Sequence, residues 1–347
     1  MDRALSFSAQ VVCWQKEHGR SHLPWQQTRD PYRVWLSEVM LQQTQVSTVL
    51  DYYPRFLARF PHVATLAAAA EDEVLALWSG LGYYSRARNL HRCAQQVMAL
   101  HGGVFPATAV VLQTLPGIGR STAGAIAAFC FSERVPILDA NVRRVLTRFI
   151  GFGADLAVAA NERALWQCAT DLLPHSHLPE SMPRYTQGLM DLGAMVCLAR
   201  KPLCAQCPVQ SQCVALRQGV PENYPVKTRK LTRQSQAWWL LLLRDAAGRV
   251  HLERRPSTGI WPGLHCLPMY AAREDVPVPS ALKSASHIRE LPPFLHILTH
   301  RDLHLHPVIV EVNEPQSLVH EGAWFSRAQC PSLGLPAPIR KLLESVQ

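Results

Sequence analysis

Four of the ten cysteines lie close together in the chain, with a spacing typical of a cofactor-binding loop. They are Cys197, Cys204, Cys207 and Cys213, in the pattern C-x6-C-x2-C-x5-C. Thiolates are soft anionic donors, and four of them in one loop can surround either a structural zinc ion or an iron–sulfur cluster. The spacing alone leaves these two cofactors open, and four unligated thiols are a third interpretation.

A glycine-containing turn is suited to holding a phosphate group. Residues 115–123 read LPGIGRSTA, in which Gly117 and Gly119 precede a helix-forming segment. Glycines allow another backbone to approach closely, and the free N–H groups at a helix N-terminus favour anions. An ordinary connection between two helices would have the same pattern.

Two carboxyl groups, Glu38 and Asp139, have different predicted surroundings. Glu38 lies in a predicted helix beside an apolar stripe, where partial burial would raise its pKa and let it donate a proton. Asp139 follows the apolar segment 135–138 and precedes a predicted helix, so it can act as an N-cap whose N–H donors keep it ionised. Such a pair can divide the work of proton donor and of anion facing a developing cation. A solvated helix residue and a purely structural cap are the simpler interpretations.

The elements that must position these groups are predicted to be helical as far as Pro225. Apolar residues recur at helical spacing from Tyr32 onward, and glycine and proline separate the segments. Further helices are predicted over residues 71–78, 87–100, 122–130, 141–150 and 162–173.

The pattern changes after Pro225. Residues 226–236 are polar and basic, which predicts an interdomain linker. Strands are predicted over residues 237–243, 250–254, 304–312 and 323–326, and a last helix over residues 339–346. The prediction is therefore a helical domain over residues 1–225 and a small α+β domain over residues 237–347.

The composition predicts a globular protein, and its basic charge is compatible with binding to nucleic acid but is also found in proteins that do not bind it. Of the 347 residues 48% are hydrophobic, which is enough for a sizeable core, and the formal net charge is +9. Positive charge is in excess on both sides of Pro225, as binding to a long phosphate surface requires. Neither a membrane span nor a signal-peptide core is recognisable, so a cytoplasmic, nucleoid-associated location is expected.

The two carboxylate segments resemble those of the MutY family of adenine DNA glycosylases, within the endonuclease III superfamily. Residues 34–46 read VWLSEVMLQQTQV and residues 136–145 read PILDANVRRV. The glycine turn and the cysteine loop are similar to the same family, and the resemblance extends over nearly the whole chain. It implies an all-α helix-hairpin-helix domain with a 4Fe-4S cluster on the four cysteines, and a C-terminal α+β, Nudix-like domain.

The resemblance implies a monofunctional enzyme of base excision repair that removes adenine mispaired with 8-oxoguanine or guanine. Glu38 would protonate adenine N7 and later handle water, and Asp139 would stabilise, or covalently trap, the sugar cation. Asn141 would orient Glu38 or water. Ser121 stands where bifunctional relatives carry a nucleophilic lysine, so no lysine-dependent lyase step is expected. The implied partner is double-stranded DNA, and a monomer is expected.

The family's base-reading segments also have counterparts. The target base must leave the stack, and a side chain must fill the gap. The residues implied to read the mismatch are Gln42, Gln43, Thr44, Leu81 and Tyr83, with Tyr83 as the wedge. The residues implied to line the adenine pocket are Trp25, Leu41 and Gln187. Arg86 and Arg88 are expected to contact phosphates, while core packing is the alternative for Trp25 and Tyr83.

The C-terminal part resembles the MutT-like domain of the same family at residues 259–268 and 298–300. Thr299 and His300 are implied to contact 8-oxoguanine and nearby backbone, and Leu298 replaces the family's usual aromatic residue. Only Glu274 and Asp275 stand where a Nudix hydrolase needs a glutamate-rich metal site. A recognition domain without phosphohydrolase activity is therefore expected.

Three other functions are disfavoured, and one of them, a Nudix hydrolase, lacks its metal-binding carboxylates. A glycosylase/lyase for oxidised pyrimidines is disfavoured by Ser121 and by the second domain. A mismatch-binding scaffold without catalysis is disfavoured by Glu38 and Asp139 in their family segments.

Overall fold

The computed structural model describes residues 5–228, 232–277, 288–312 and 322–346. Contacts within the chain divide it into two compact units. The first unit comprises Met1–Ala67 and Arg92–Lys230, and the second comprises Ala68–His91 and Leu231–Gln347. The sequence alone does not indicate that residues 68–91 group with the C-terminal part, because such a grouping depends on contacts between distant segments.

Helices dominate the chain before residue 218. The α-helices among the described residues are α1 (Phe7–His18), α2 (Pro31–Leu41), α3 (Val46–Arg59), α4 (Val63–Ala68), α5 (Glu71–Trp78), α6 (Ser85–His101), α7 (Ala109–Leu112), α8 (Arg120–Phe131), α9 (Ala140–Ile150), α10 (Ala159–Asp171), α11 (Leu178–Met195), α12 (Val214–Arg217) and α13 (Ala337–Ser345). The helical prediction for the first part of the chain is confirmed, and α5 has the predicted bounds.

Helix α2 begins where its sequence dictates. The Asp30 side chain accepts hydrogen bonds from the backbone N–H groups of Tyr32 and Arg33, and Pro31 occupies the first turn, where its missing N–H costs nothing. Seven of its side chains are buried, on more than one face. The helix therefore lies inside the first unit and carries Glu38 with it.

The longest helix of the first unit, α11, was not predicted. Its sequence contains Pro179 and Pro183, and an internal proline usually ends a helix. Gly188 and Gly193 compensate by close packing, since a Cβ at Gly193 would lie 2.6 Å from the Asn141 Cβ. Gly193 thus lets α11 pack directly against the start of α9, whereas Gly188 packs against Val11 and Gln15 of α1.

The second unit contains a mixed sheet. Its strands are β1 (Gln234–Asp245), β2 (Val250–Arg254), β3 (His265–Cys266), β4 (Met269–Tyr270), β5 (Ile288–Glu290), β6 (Phe294–Ile297), β7 (Arg301–Val312) and β8 (Ala323–Phe325). The main order is β3-β2-β1-β7-β5, with β4 paired to β1, β6 to β7 and β8 to β2. The predicted Nudix-like α+β class is confirmed.

The centre of this sheet is the parallel pair β1 and β7, which runs from Gln234↔Arg301 to Asp245↔Val312. Residues 240–243, all leucines, are buried, as expected for a strand covered on both faces. Strand β1 begins at Gln234, so the last three residues of the predicted linker belong to the sheet. The reason is that their polar side chains occupy the exposed end of a long strand, which sequence alone does not distinguish from a linker.

Candidate active site and cofactor loop

Helix α2 places Glu38 at a cavity of about 260 Å³ in the first unit. Trp25, Gln26, Ser37 and Gln187 are among the other residues that line it. Burial raises the pKa of the Glu38 carboxyl to about 8, and the nearby charge of Asp139 adds to the rise. The carboxyl is therefore mostly protonated at neutral pH, as a general acid must be.

Asp139 is the N-cap of α9, and its Oδ1 accepts a hydrogen bond from the Val142 N–H at 2.7 Å. Burial raises the pKa of Asp139, whereas the N–H groups of Val142 and Asn141 and the charge of Arg144 oppose the rise. The expectation that N–H donors keep this carboxyl ionised therefore omitted the larger effect of burial. Because these donors surround Asp139, the negative charge of the carboxyl pair is more stable on Asp139. The proton of the pair is more stable on Glu38.

Ser121 and Asn141 both support the segment around Asp139. Ser121 Oγ accepts a hydrogen bond from the Leu138 N–H at 3.1 Å, which fixes the backbone just before the cap. Asn141 Oδ1 accepts one from Arg144 Nη2 at 2.8 Å. The amide oxygen of Asn141 is thus engaged with Arg144, and its orientation of Glu38 or water stays a prediction.

Two arginines of α9 bind the cysteine loop, and the sequence analysis missed both. Arg144 Nε donates to the Cys197 carbonyl at 2.8 Å. Arg148 donates to the Leu198 carbonyl at 2.6 Å and to the Ala199 carbonyl at 3.0 Å, and its Nη1 lies 3.4 Å from Cys197 Sγ. Their four-residue spacing on one helix face was the available signal. Helix α9 therefore connects Asp139 at its start with the cysteine loop along its side.

The cysteine loop brings the four thiols close enough to interact. Their charges act on one another, since burial and then repulsion from Cys197 and Cys213 raise the pKa of Cys204. Four thiolates in one loop suit a 4Fe-4S cluster, which takes one thiolate for each iron.

We expect Arg148→Met to weaken the cysteine loop. The Arg148 residue is only 2% exposed, and its removal leaves the carbonyls of Leu198, Ala199 and Tyr224 without this donor, at a cost of about 1–3 kcal/mol for an unsatisfied buried group. The expected result is a lower melting temperature and less absorbance near 400 nm per protein. Arg217→Met, at an exposed position of α12, is the control. Equal iron content and melting temperature in the two variants would contradict this role of Arg148.

The residues expected to read the mismatch are distributed over both units. In the first unit, Gln42 Nε2 lies 3.4 Å from Thr122 Oγ1. Gln43 has a positive φ of 58°. In the second unit, Tyr83 has a φ of 48° and is 44% exposed, and its hydroxyl lies 2.8 Å from Thr299 Oγ1. A left-handed backbone at non-glycine residues is strained and concentrates at functional sites.

Arg86 and Arg88, expected to contact phosphates, bind backbone carbonyls within the second unit. Arg86 is buried, and its Nη2 donates to the Leu81 and Gly82 carbonyls at 3.0 and 3.1 Å. Arg88 Nη1 donates to the Pro262 carbonyl at 2.5 Å. These arginines bind backbone carbonyls, which stabilises the turn that presents Tyr83.

The other predicted residues occupy a variety of surroundings. Trp25 is buried in the 3-10 turn Pro24–Gln26 and packs edge-on against Tyr53 at 5.4 Å. Leu41 ends α2, Thr44 follows it and is half-buried, and His300 is exposed beside Thr299. Gly117 has a φ of 75°, and Gly119 caps α8 with no side-chain hydrogen bond. The glycine-containing turn over residues 115–123, the hairpin, thus ends at an N-cap residue without a side chain. The N–H groups in the first turn of α8 therefore receive no cap from that residue, as an anion site requires.

The paired carboxyls, the hairpin, the cysteine loop and the mixed sheet define a helix-hairpin-helix DNA glycosylase that carries a Nudix-like domain. Residues 36–168 match the HhH-GPD superfamily of base excision DNA repair proteins. Residues 197–213 match the iron–sulfur binding domain of endonuclease III, and residues 239–345 match the NUDIX domain. The chain belongs to the adenine DNA glycosylase family, and it binds a 4Fe-4S cluster through the cysteine loop.

Full-length relatives support this assignment. The chain is 34% identical over 344 residues to the adenine DNA glycosylase of Buchnera aphidicola subsp. Acyrthosiphon pisum (strain APS), covering 98% of this chain and 97% of the relative. It is 31% identical over 409 residues to that of Homo sapiens, covering 99% and 74% respectively.

Solved structures support the fold of the helical part. A thermostable thymine-DNA glycosylase is 28% identical with a TM-score of 0.55, covering 61% of this chain and 95% of that one. An endonuclease III–DNA complex is 20% identical with a TM-score of 0.51, covering 61% and 94%, which shows the fold alone. Among the described helices, none combines the length and hydropathy that a membrane crossing requires.

Proposed function

We propose that this glycosylase hydrolyses the N-glycosidic bond of adenine mispaired with 8-oxoguanine or guanine, and that it is monofunctional. The observation that carries the proposal is the pair of interacting carboxyls, with a protonated Glu38 at a cavity and Asp139 among N–H donors. The enzyme is proposed to act as a monomer, which size-exclusion chromatography with light scattering tests directly.

The proposed reaction assigns one task to each carboxyl. The Glu38 proton passes to N7 of the extruded adenine, and the electrons of the C1′–N9 bond leave with the base. The sugar gains positive charge, which ionised Asp139 stabilises. The oxygen of a water molecule then bonds to C1′, and the proton that this water loses returns to the Glu38 carboxylate.

The 4Fe-4S cluster, when bound, cross-links the cysteine loop through four iron–thiolate bonds. The protein's own residues hold the loop against α9. Arg144 and Arg148 bind the loop carbonyls from α9, whose first turn binds the Asp139 carboxylate. The loop is thereby proposed to keep α9, and so Asp139, in place.

Recognition of the base opposite adenine is proposed to depend on Tyr83, Thr299 and His300. The hydrogen bond between Tyr83 and Thr299 joins the proposed wedge to the proposed lesion-reading segment within one unit. Gln42, Gln43, Thr44 and Leu81 are proposed to contact the same mismatch.

The monofunctional assignment rests on Ser121. We expect Ser121→Lys to introduce some lyase activity, because it places an amine next to the segment that holds Asp139. Strand cleavage without alkali and borohydride trapping should rise about tenfold above the wild-type background. Ser121→Ala, which also loses the Leu138 hydrogen bond but has no amine, is the matched control. If Ser121→Lys still excised adenine but formed no trapped complex, position 121 would not face the sugar.

One assay tests the proposed function against its rivals. Duplexes with adenine opposite 8-oxoguanine, adenine opposite guanine, or thymine glycol are incubated with the enzyme and then treated with or without alkali. We expect adenine release from the first two, with strand breaks mainly after alkali. Cleavage of thymine glycol without alkali would favour a pyrimidine glycosylase/lyase, and binding without base release would favour a scaffold.

A further inference from the structure

The carboxamide of Gln187 has a fixed orientation in the cavity that also holds Glu38. Its Nε2 donates to Asp191 Oδ1 at 2.9 Å, one turn further along α11. Asp191 is 0% exposed, and it also accepts hydrogen bonds from Arg20 Nε at 2.7 Å and from the Arg20 backbone N–H at 3.0 Å. An ionised carboxylate only accepts hydrogen bonds. The amide of Gln187 must therefore turn its NH₂ group towards Asp191.

This orientation leaves the Gln187 carbonyl as the group available to a ligand. Gln187 lines the cavity, and among the described residues none donates a hydrogen bond to its Oε1. Gln26 lines the same cavity, and its Nε2 is buried without a partner in the described part of the chain. A buried donor without a partner costs free energy unless a ligand or water supplies the acceptor. Among the groups that line the cavity, Gln187 thus supplies an acceptor and Gln26 a donor.

An acceptor and a donor together match one class of purine. Adenine has a 6-amino group that donates and an N1 that accepts. Hypoxanthine and guanine have the reverse arrangement, a 6-oxo group that accepts and an N1–H that donates. A site whose polar groups are fixed rejects a base with mismatched polarity because buried groups would be left unpaired.

We propose that Asp191 is a positioning residue that fixes the polarity of the Gln187 carboxamide and thereby selects 6-amino over 6-oxo purines. The inference rests on the proposed function, because it concerns the base that enters the same cavity. Without Asp191, the amide of Gln187 turns freely and presents either its oxygen or its NH₂ to the base. Asp191 itself lies behind Gln187 and acts only through it.

The alternative role of Asp191 is purely structural. Its ion pair with Arg20 joins two segments that are 171 residues apart in the chain. Loss of that connection would reduce excision of every base by a similar factor. Base specificity, measured as a ratio of rates within one variant, separates the two roles.

The test is single-turnover excision by the full-length protein of adenine, hypoxanthine or unsubstituted purine, each placed opposite 8-oxoguanine in the same duplex. For Asp191→Leu we expect the hypoxanthine-to-adenine rate ratio to rise about tenfold over wild type. Asp191→Asn is the matched control, because its single oxygen can still accept from both Arg20 Nε and Gln187 Nε2. Its ratio should stay within about threefold of wild type.

A second variant keeps the proposal testable if Asp191→Leu does not fold. Gln187→Leu removes the acceptor itself, so the preference for adenine over unsubstituted purine should fall about tenfold without any gain for hypoxanthine. Melting temperature and absorbance near 400 nm report folding for each variant. Unchanged ratios in Asp191→Leu, or in Gln187→Leu, would overturn the inference. If the wild type released adenine from no duplex, the proposed function would fail instead.

Discussion

Replacing Asp139 with asparagine is expected to reduce adenine excision by about a thousandfold or more, while the affinity for the mismatched duplex changes little. The carboxylate stabilises positive charge that appears on the sugar only in the transition state, so the loss falls on the chemical step. Asparagine is also a good N-cap and can still accept the Val142 hydrogen bond. The variant should therefore fold normally and bind.

The measurement is single-turnover excision on adenine opposite 8-oxoguanine, with gel-shift binding on the same duplex. Asp171→Asn is the control, because it removes one negative charge at an exposed position of α10. Near-normal turnover of Asp139→Asn would refute the assignment and leave Asp139 as a cap alone. Parallel loss of binding and excision would instead indicate a structural defect.

The positions of the two carboxyls could be predicted from the sequence because a local pattern marks each of them. Asp139 stands between an apolar segment and a helix, which predicts a cap, and the structure has that cap. Glu38 lies in a helix whose apolar residues recur at helical spacing. The electrostatic interaction between the two carboxyls depends on how α2 and α9 pack, and periodicity carries no information on that packing.

Contacts between distant segments explain most of what the sequence analysis missed. Arg148 binds carbonyls about 50 residues further along the chain, and Asp191 binds Arg20. In the sequence, Arg148 and Arg20 look like ordinary surface residues. Only the tertiary structure shows that Arg148 binds carbonyls and that Arg20 binds a buried carboxylate. For the same reason the sequence does not indicate that Arg86 and Arg88 bind nearby carbonyls.

Backbone strain is a further feature that sequence alone does not show. Gln43 and Tyr83 adopt left-handed conformations although neither is a glycine. Residue preferences favour glycine or asparagine in this region, so the surrounding turns must impose it. Both residues belong to the segments that the family resemblance relates to mismatch reading, which is where such strain is expected.

Glu38 is expected to give excision a characteristic dependence on pH. Its pKa of about 8 keeps the proton donor intact at neutral pH. The single-turnover rate should fall about tenfold for each pH unit above 8, as the Glu38 carboxyl loses its proton, and it should also fall at acid pH, where Asp139 becomes protonated. Glu38→Gln should lose about a hundredfold or more in rate and show no such decline. Glu17→Gln, at an exposed position of α1, is the control.

The same group predicts how stability changes with pH. The pKa of Glu38 is higher in the folded protein, about 8, than its ordinary value of 4.5. The folded state therefore binds the proton more tightly, and this carboxyl makes the protein progressively less stable as pH rises from 4.5 to 8. Glu38→Gln should be more stable than wild type at pH 9, by about 2 kcal/mol or more, since each pKa unit corresponds to about 1.4 kcal/mol. This difference should shrink towards pH 5. The result against this prediction has two parts: wild type and Glu38→Gln have equal denaturation midpoints at pH 5 and at pH 9, and the wild-type excision rate is flat to pH 10. Together they would show that Glu38 is ionised at neutral pH and is not the proton donor.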